Sequence, residues 1–171
     1  MCNFDFGCCV AKSKSPNPEK TPRVTRKMPD NTKNLRTEKL GLAHLIKKEK
    51  GVFEPTKEQR QHILKLLGLD PRKFARSFDA LRLLVPSFEQ VKGPQHIQMI
   101  EIKVTSKHLP NFPDKFFFGM TKNEEDLMKL FGENFKLCLL SVYGEGKYLL
   151  LTQAELEKRI KNRRIQYQIN L

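Results

Sequence analysis

The chain has 171 residues and a formal net charge of +13, with 32 Lys and Arg against 19 Asp and Glu. That length supports one domain with a real core and a tail to spare. The charge points to an anionic partner, most often nucleic acid, or else to a lysine-rich solvated surface. No stretch approaches the roughly 18 apolar residues of a membrane span, and the N-terminus lacks the basic-then-apolar order of a secretory signal.

Residues 1–36 read as a disordered basic tail. They carry Lys12, Lys14, Lys20, Arg23, Arg26, Lys27, Lys33 and Arg36 against Asp5, Glu19 and Asp30, with little that packs. Cys2, Cys8 and Cys9 crowd this tail, and Cys138 lies in the apolar run 137–140. Such a distribution builds no disulfide framework, so an intracellular setting, cytoplasmic or nucleoid-associated, is expected. Metal or lipid on Cys2, Cys8 and Cys9 is the sharper reading and incidental thiols the plainer one. Adjacent Cys8 and Cys9 lack the spacer of a zinc knuckle, and Cys138 reads as a small core hydrophobe.

Residues 37–171 read as a single α/β domain. From Thr37 the pattern is helical, with Leu40, Leu42, Leu45 and Ile46 in one apolar stripe that Gly51 ends. Thr56 and Gln59 form a capping box opening a second helix with Ile63, Leu64, Leu66 and Leu67, and Gly68 suits its end. The span 74–85 reads as a short helix leading into a strand, with Asp79 inside it. Residues 97–105 form an apolar strand, and Phe116–Phe118 a short aromatic one after a proline-bearing loop. Thr121 and Glu124 cap a further helix carrying Leu127, Met128 and Leu130. Strands follow at 135–143 and 148–151, then a helix from Thr152 through about Arg163, and an alternating strand at Ile165, Tyr167 and Ile169. Helices followed by mixed strands and helices predict a mixed central sheet flanked by helices.

The chemistry concentrates on residues 97–105. Residues two apart on a strand point the same way, so Glu101 and Lys103 share one face while Ile100, Ile102 and Val104 share the other. Charges on an otherwise apolar strand are costly unless they are paired or bind a metal. Asp79 precedes them by 22 residues. Magnesium needs only one or two protein carboxylates, which Asp79 and Glu101 supply, with the Ile102 carbonyl as a further ligand. Lys103 then faces the same pocket, placed to neutralise a phosphate or orient a water. The plainer alternative is a surface ion pair on a half-exposed strand.

Asp79, the stretch Met99-Ile-Glu-Ile-Lys-Val-Thr105, the aromatic run, Met120-Thr-Lys-Asn-Glu-Glu125 and the strand at 135–142 together resemble the restriction-endonuclease-like PD-(D/E)XK nuclease superfamily. The similarity is to its branch typified by the C-terminal domain of the plant protein NO VEIN, and it covers roughly residues 74–143. It implies a restriction-endonuclease-like fold, a magnesium or manganese cofactor, Asp79 and Glu101 as metal ligands, and Lys103 as the catalytic lysine. For the acid often found on the first helix of such domains, Glu58 is the candidate; a first-turn acid favoured by the helix dipole is the plainer reading.

Glu124 is a second-tier candidate, whereas capping accounts for Thr121. Lys107, Lys115 and Lys122 flank the pocket as phosphate contacts or as solvated lysines. The basic run 158–164 tracks a backbone or simply suits a helix C-terminus. His44, His62, His96 and His108 show no metal-ligand spacing, and no glycine-rich nucleotide loop is present. The expectation is a metal-dependent nuclease acting on DNA, with a dimer one way to cut two strands. The alternatives are a catalytically silent nucleic-acid-binding module on the same fold and a basic protein–protein adaptor.

Overall fold

The computed structural model describes the backbone of residues 31–164 and the side chains from Arg36 onward. The elements, in chain order, are α1 (Asn31–Lys48), β1 (Val52–Phe53), α2 (Lys57–Leu66), α3 (Pro71–Phe74), β2 (Ala80–Leu83), β3 (Ile97–Thr105), α4 (Lys122–Phe131), β4 (Phe135–Ser141), β5 (Lys147–Leu151) and α5 (Gln153–Glu157). The strands form one sheet in the order β1-β2-β3-β4-β5. All neighbours are antiparallel except β3 and β4, which run parallel with Met99 opposite Phe135 and Thr105 opposite Ser141. A parallel pair needs a crossover, and α4 provides it. The architecture is therefore α/β with a mixed central sheet.

Strand alternation divides the core in two. Leu81, Ile97, Met99, Leu137, Leu139 and Leu151 face α2, α3, α4 and α5, packing with Ile63, Leu64, Leu127 and Leu156. Ala80, Ile100, Ile102, Cys138 and Leu140 face the other way, against Leu45 of α1. Burial pushes the Cys138 thiol up to about 12, as suits a core hydrophobe without thiolate chemistry. Among the described residues no helix is long and apolar enough to cross a membrane.

The three capping boxes form as read, with Thr56, Thr121 and Thr152 each accepting from the backbone N–H three residues on. Gly68 follows α2 with φ +71°, where a side chain would be strained.

Several expectations are corrected. Helix α1 begins at Asn31, inside the span read as tail, and ends at Lys48, before Gly51. Its stripe is narrower than the spacing predicts. Leu45 is buried and Leu42 partly so, while Leu40 and Ile46 are exposed. Gly41 is the reason: a Cβ there would meet Val104 Cγ2 at 2.5 Å, so the helix approaches β3 along the Gly41–Leu45 line and leaves its flanks to solvent. Leu66 and Leu130 are likewise exposed.

Phe116–Phe118 is not a strand. β3 and β4 pair directly, which leaves no slot for another strand between them. Phe116 and Phe118 instead lie over the core with Phe117 pointing outward, so the alternation reflects packing without a hydrogen-bonded partner. Helix α5 stops at Glu157 instead of continuing to Arg163, and Lys158 and Arg159 form a turn in which the Arg159 N–H makes a tighter bond to the Leu156 carbonyl. Residues 1–30, including Cys2, Cys8 and Cys9, and the closing strand read at 165–169 lie outside the described residues.

Candidate active site

Asp79 stands one residue before β2, where the ladder with β3 ends. Ala80 pairs with Ile100, and the regular register ends there. The Asp79 N–H donates to the Ile100 carbonyl at 2.8 Å. Its carboxylate then accepts from the Ile102 N–H at 2.8 Å, taking the place of the next backbone acceptor. N–H and C=O of one strand residue point to the same side, so the Ile102 carbonyl opens toward the same gap beyond β2.

A group that the spacing did not single out holds this turn. Arg60, on α2, donates from Nη2 to the Asp79 carbonyl at 2.9 Å, from Nη1 to the Phe78 carbonyl, and from Nε to the Pro55 carbonyl at 3.2 Å. Its guanidinium also lies 4.9 Å from the Phe78 ring centre. One planar fork thus secures the backbone that carries Asp79. Glu58, two residues earlier, stays exposed, with its carboxyl held below the ordinary range by its own backbone N–H and by Thr56. The acid expected from the first helix is not brought to the site; an arginine from that helix is.

Glu101 and Lys103 share the α2–α4 face of the sheet, as alternation requires. Lys103 Nζ donates to Glu101 Oε1 at 2.7 Å and to Glu124 Oε2 at 3.0 Å. Both carboxylates are buried, at 5 % and 6 % exposure. Glu124 also closes the capping box, accepting from the Thr121 N–H at 2.8 Å. The cap therefore fixes Glu124, and Glu124 fixes the lysine. A capping motif alone gives no sign of this second role; only the fold of α4 over β3 reveals it.

Three carboxylates, Asp79, Glu101 and Glu124, surround one ammonium and one guanidinium. Burial, then the proximity of Asp79 and Glu124, pushes the Glu101 carboxyl up to about 9 against the pull of Lys103. Burial also raises Asp79, opposed by the Ile102 N–H and the nearby cations. Burial lowers the Lys103 pKa, but Glu101 and Glu124 outweigh it and the ammonium ends above its ordinary value. Burial lowers Arg60, partly offset by Asp79. With all three carboxylates ionised the site is short of positive charge, and the proton on Glu101 makes up the deficit.

That deficit sits where a hard divalent cation would relieve it. Among the described residues no group of three or more His, Cys, Asp and Glu is arranged to hold a metal. Magnesium does not require one, since it takes one or two carboxylates and completes its shell with other oxygens. The Asp79 and Glu101 carboxylates and the Ile102 carbonyl fit that pattern.

The remaining candidates fall elsewhere. Lys107 and Lys115 are exposed on the loop after β3, and Lys122 is exposed and paired with Asp126. His44, His62, His96 and His108 do not converge: they contact Tyr148, Phe88, Gln95 and Tyr143 respectively. Comparison with protein-family models, with curated proteins and with solved structures gives no significant match.

Proposed function

We propose that the protein is a magnesium- or manganese-dependent nuclease that hydrolyses phosphodiester bonds in DNA, with Asp79, Glu101 and Lys103 at its centre. The observation that carries this reading is the gathering of Asp79 and Glu101 at the end of the β2–β3 ladder, with the Asp79 carboxylate on the Ile102 N–H at 2.8 Å and the Lys103 ammonium 2.7 Å from Glu101. A buried and a half-buried carboxylate side by side, both with raised pKa values, are the kind of perturbed cluster that functional sites gather. The mixed sheet flanked by helices agrees with what the resemblance to the PD-(D/E)XK superfamily implies. The net charge of +13 supplies attraction for a polyanion.

In this reading Asp79, Glu101 and the Ile102 carbonyl hold the cation. When bound, it polarises the phosphate and makes the attacking water more acidic. Lys103, fixed by Glu101 and Glu124, presents its third N–H to a phosphate oxygen and offsets charge developing there. Arg60 keeps the Asp79 turn from shifting, and exposed lysines at 107, 115 and 122 contact the DNA backbone.

A specific observation favours a second reading, a silent DNA-binding module on the same fold. Lys103 is already held by two carboxylates, as in a buried structural triad. Supercoiled plasmid and single-stranded DNA, incubated with magnesium or manganese, separate the two. Cleavage that falls by at least about a hundredfold in Glu101→Ala and in Lys103→Ala is the expected result. Wild-type protein that binds DNA and cuts neither substrate leaves the silent module.

A further inference from the structure

Past the C-terminal ends of β3 and β4 lies a second recess, on the same face of the sheet as Lys103. It has a volume of about 350 Å³, and its lining includes His108, Phe112, Ser141, Tyr143, Glu145 and Lys147. The carboxyl ends of parallel strands are where open α/β sheets bind ligands, and this volume lies at the lower end of the range for small-molecule sites. Thr105 pairs with Ser141, and Ser141 with Lys147. Thr105 lies two residues beyond Lys103, about 6.5 Å along the strand, with the next strand about 4.8 Å aside. The recess therefore begins about 8 Å from the Lys103 backbone.

Its chemistry is that of a stacking platform. The His108 and Tyr143 rings lie 4.6 Å apart, tilted by 36°. Tyr143 keeps 54 % of its surface exposed, so part of the ring is open to a ligand. Gly144, with φ of +65°, leaves open space at the mouth, whereas the His44 ring closes against Gly146. Lys107 and Lys147 border the recess and are exposed. The Ser141 hydroxyl is committed, accepting from the Tyr143 N–H at 3.4 Å and lying 3.5 Å from the Lys107 carbonyl. Glu145 is exposed at the mouth.

An aromatic face beside cations matches a nucleobase with its phosphates, since every base has a π-face and stacks without regard to sequence. A base inside a duplex has both faces covered by its neighbours, so only an unpaired one can occupy this recess. We infer that the recess seats an unpaired nucleobase of the DNA strand whose phosphate lies at Lys103, so that the protein selects single-stranded or flipped-out nucleotides. The inference rests on the nuclease reading for the position of that phosphate.

The test uses the full chain, with a chelator present so that no cleavage intervenes. Fluorescence anisotropy compares a labelled oligothymidylate, an abasic oligomer of equal length and charge, and a duplex. Wild type should bind oligothymidylate more tightly than either of the others. Tyr143→Ala should weaken oligothymidylate binding by about tenfold and leave the abasic oligomer unchanged, while Tyr143→Phe retains binding. His108→Ala, a second variant, should give a smaller loss of the same selectivity, with thermal melting confirming that both variants fold. Equal wild-type affinity for the thymidylate and abasic oligomers overturns the inference, as does tighter binding to duplex or a Tyr143→Ala affinity equal to wild type. Metal-dependent cleavage with Tyr143-independent binding would sink the recess and leave the nuclease. Tyr143-dependent binding without cleavage by wild type would do the reverse.

Discussion

Two ionic clusters lie on opposite faces of the same sheet and balance their charge differently. On the α1 face, Arg82 bonds Glu49 through Nη2 and Gln98 through Nη1, and the Tyr148 hydroxyl donates to the second Glu49 oxygen at 2.7 Å. One carboxylate meets one guanidinium, with neutral partners beside them and the buried Arg82 Nε left without one. On the other face, Asp79, Glu101 and Glu124 crowd Lys103 and Arg60, and Glu101 is pushed up to about 9. Matched charge is what a scaffold needs; an acidic excess held in burial is a strain that a bound cation relieves. The contrast supplies the physical case for placing chemistry on the α4 side of the sheet.

The largest effect that would break this contrast is in pH. Folded Glu101 keeps its proton to about 9 and the unfolded chain gives it up near 4.5. Between those values the native state binds more protons, so unfolding free energy falls as pH rises. The contribution is complete below the lower value and lost above the upper one. Chemical denaturation of metal-free protein should show this slope, up to about 1.4 kcal/mol per pH unit. Excess magnesium should flatten it by displacing the proton, and Glu101→Gln should remove it. A slope that magnesium leaves unchanged would argue against a cation at Glu101.

Next in size is Lys103→Met, which strands two buried carboxylates. A loss of about 3 kcal/mol is expected from urea unfolding, greatest at alkaline pH where Glu101 cannot relieve itself by protonation. Arg82→Met should cost less, since Glu49 keeps the Tyr148 hydroxyl and is part-exposed. Equal costs would erase the distinction between the faces.

Arg60→Ala should cost about 2 kcal/mol by leaving backbone carbonyls unpaired. It should also weaken magnesium-induced stabilisation, because Asp79 loses its anchored turn. Arg60→Lys should recover little of either, as an ammonium cannot span those carbonyls as a fork. The smallest effect is Tyr148→Phe, about 1 kcal/mol by thermal melting with no change in the magnesium response.

Much of the fold was legible in local pattern. Thr56, Thr121 and Thr152 announce their helices because a cap is settled within four residues. The segment 97–105 announces a strand through its alternation. The aromatic alternation at 116–118 misled for the same reason: period two reports which side chains are buried and is silent on whether a neighbouring strand exists. The stripe on α1 was read too wide because the close approach at Gly41 depends on Val104, far along the chain.

The sequence by itself determined that Glu101 and Lys103 share a face, since backbone geometry alone puts residues two apart on the same side of a strand. It also flagged Asp79 as their companion through resemblance. Tertiary structure decided the rest: that the Asp79 carboxylate reaches the Ile102 N–H beside Glu101, that Glu124 rather than Glu58 adds the third carboxylate, and that Arg60 holds the turn. Those choices depend on strand and helix packing between residues 18 to 23 positions apart, which no short-range pattern encodes.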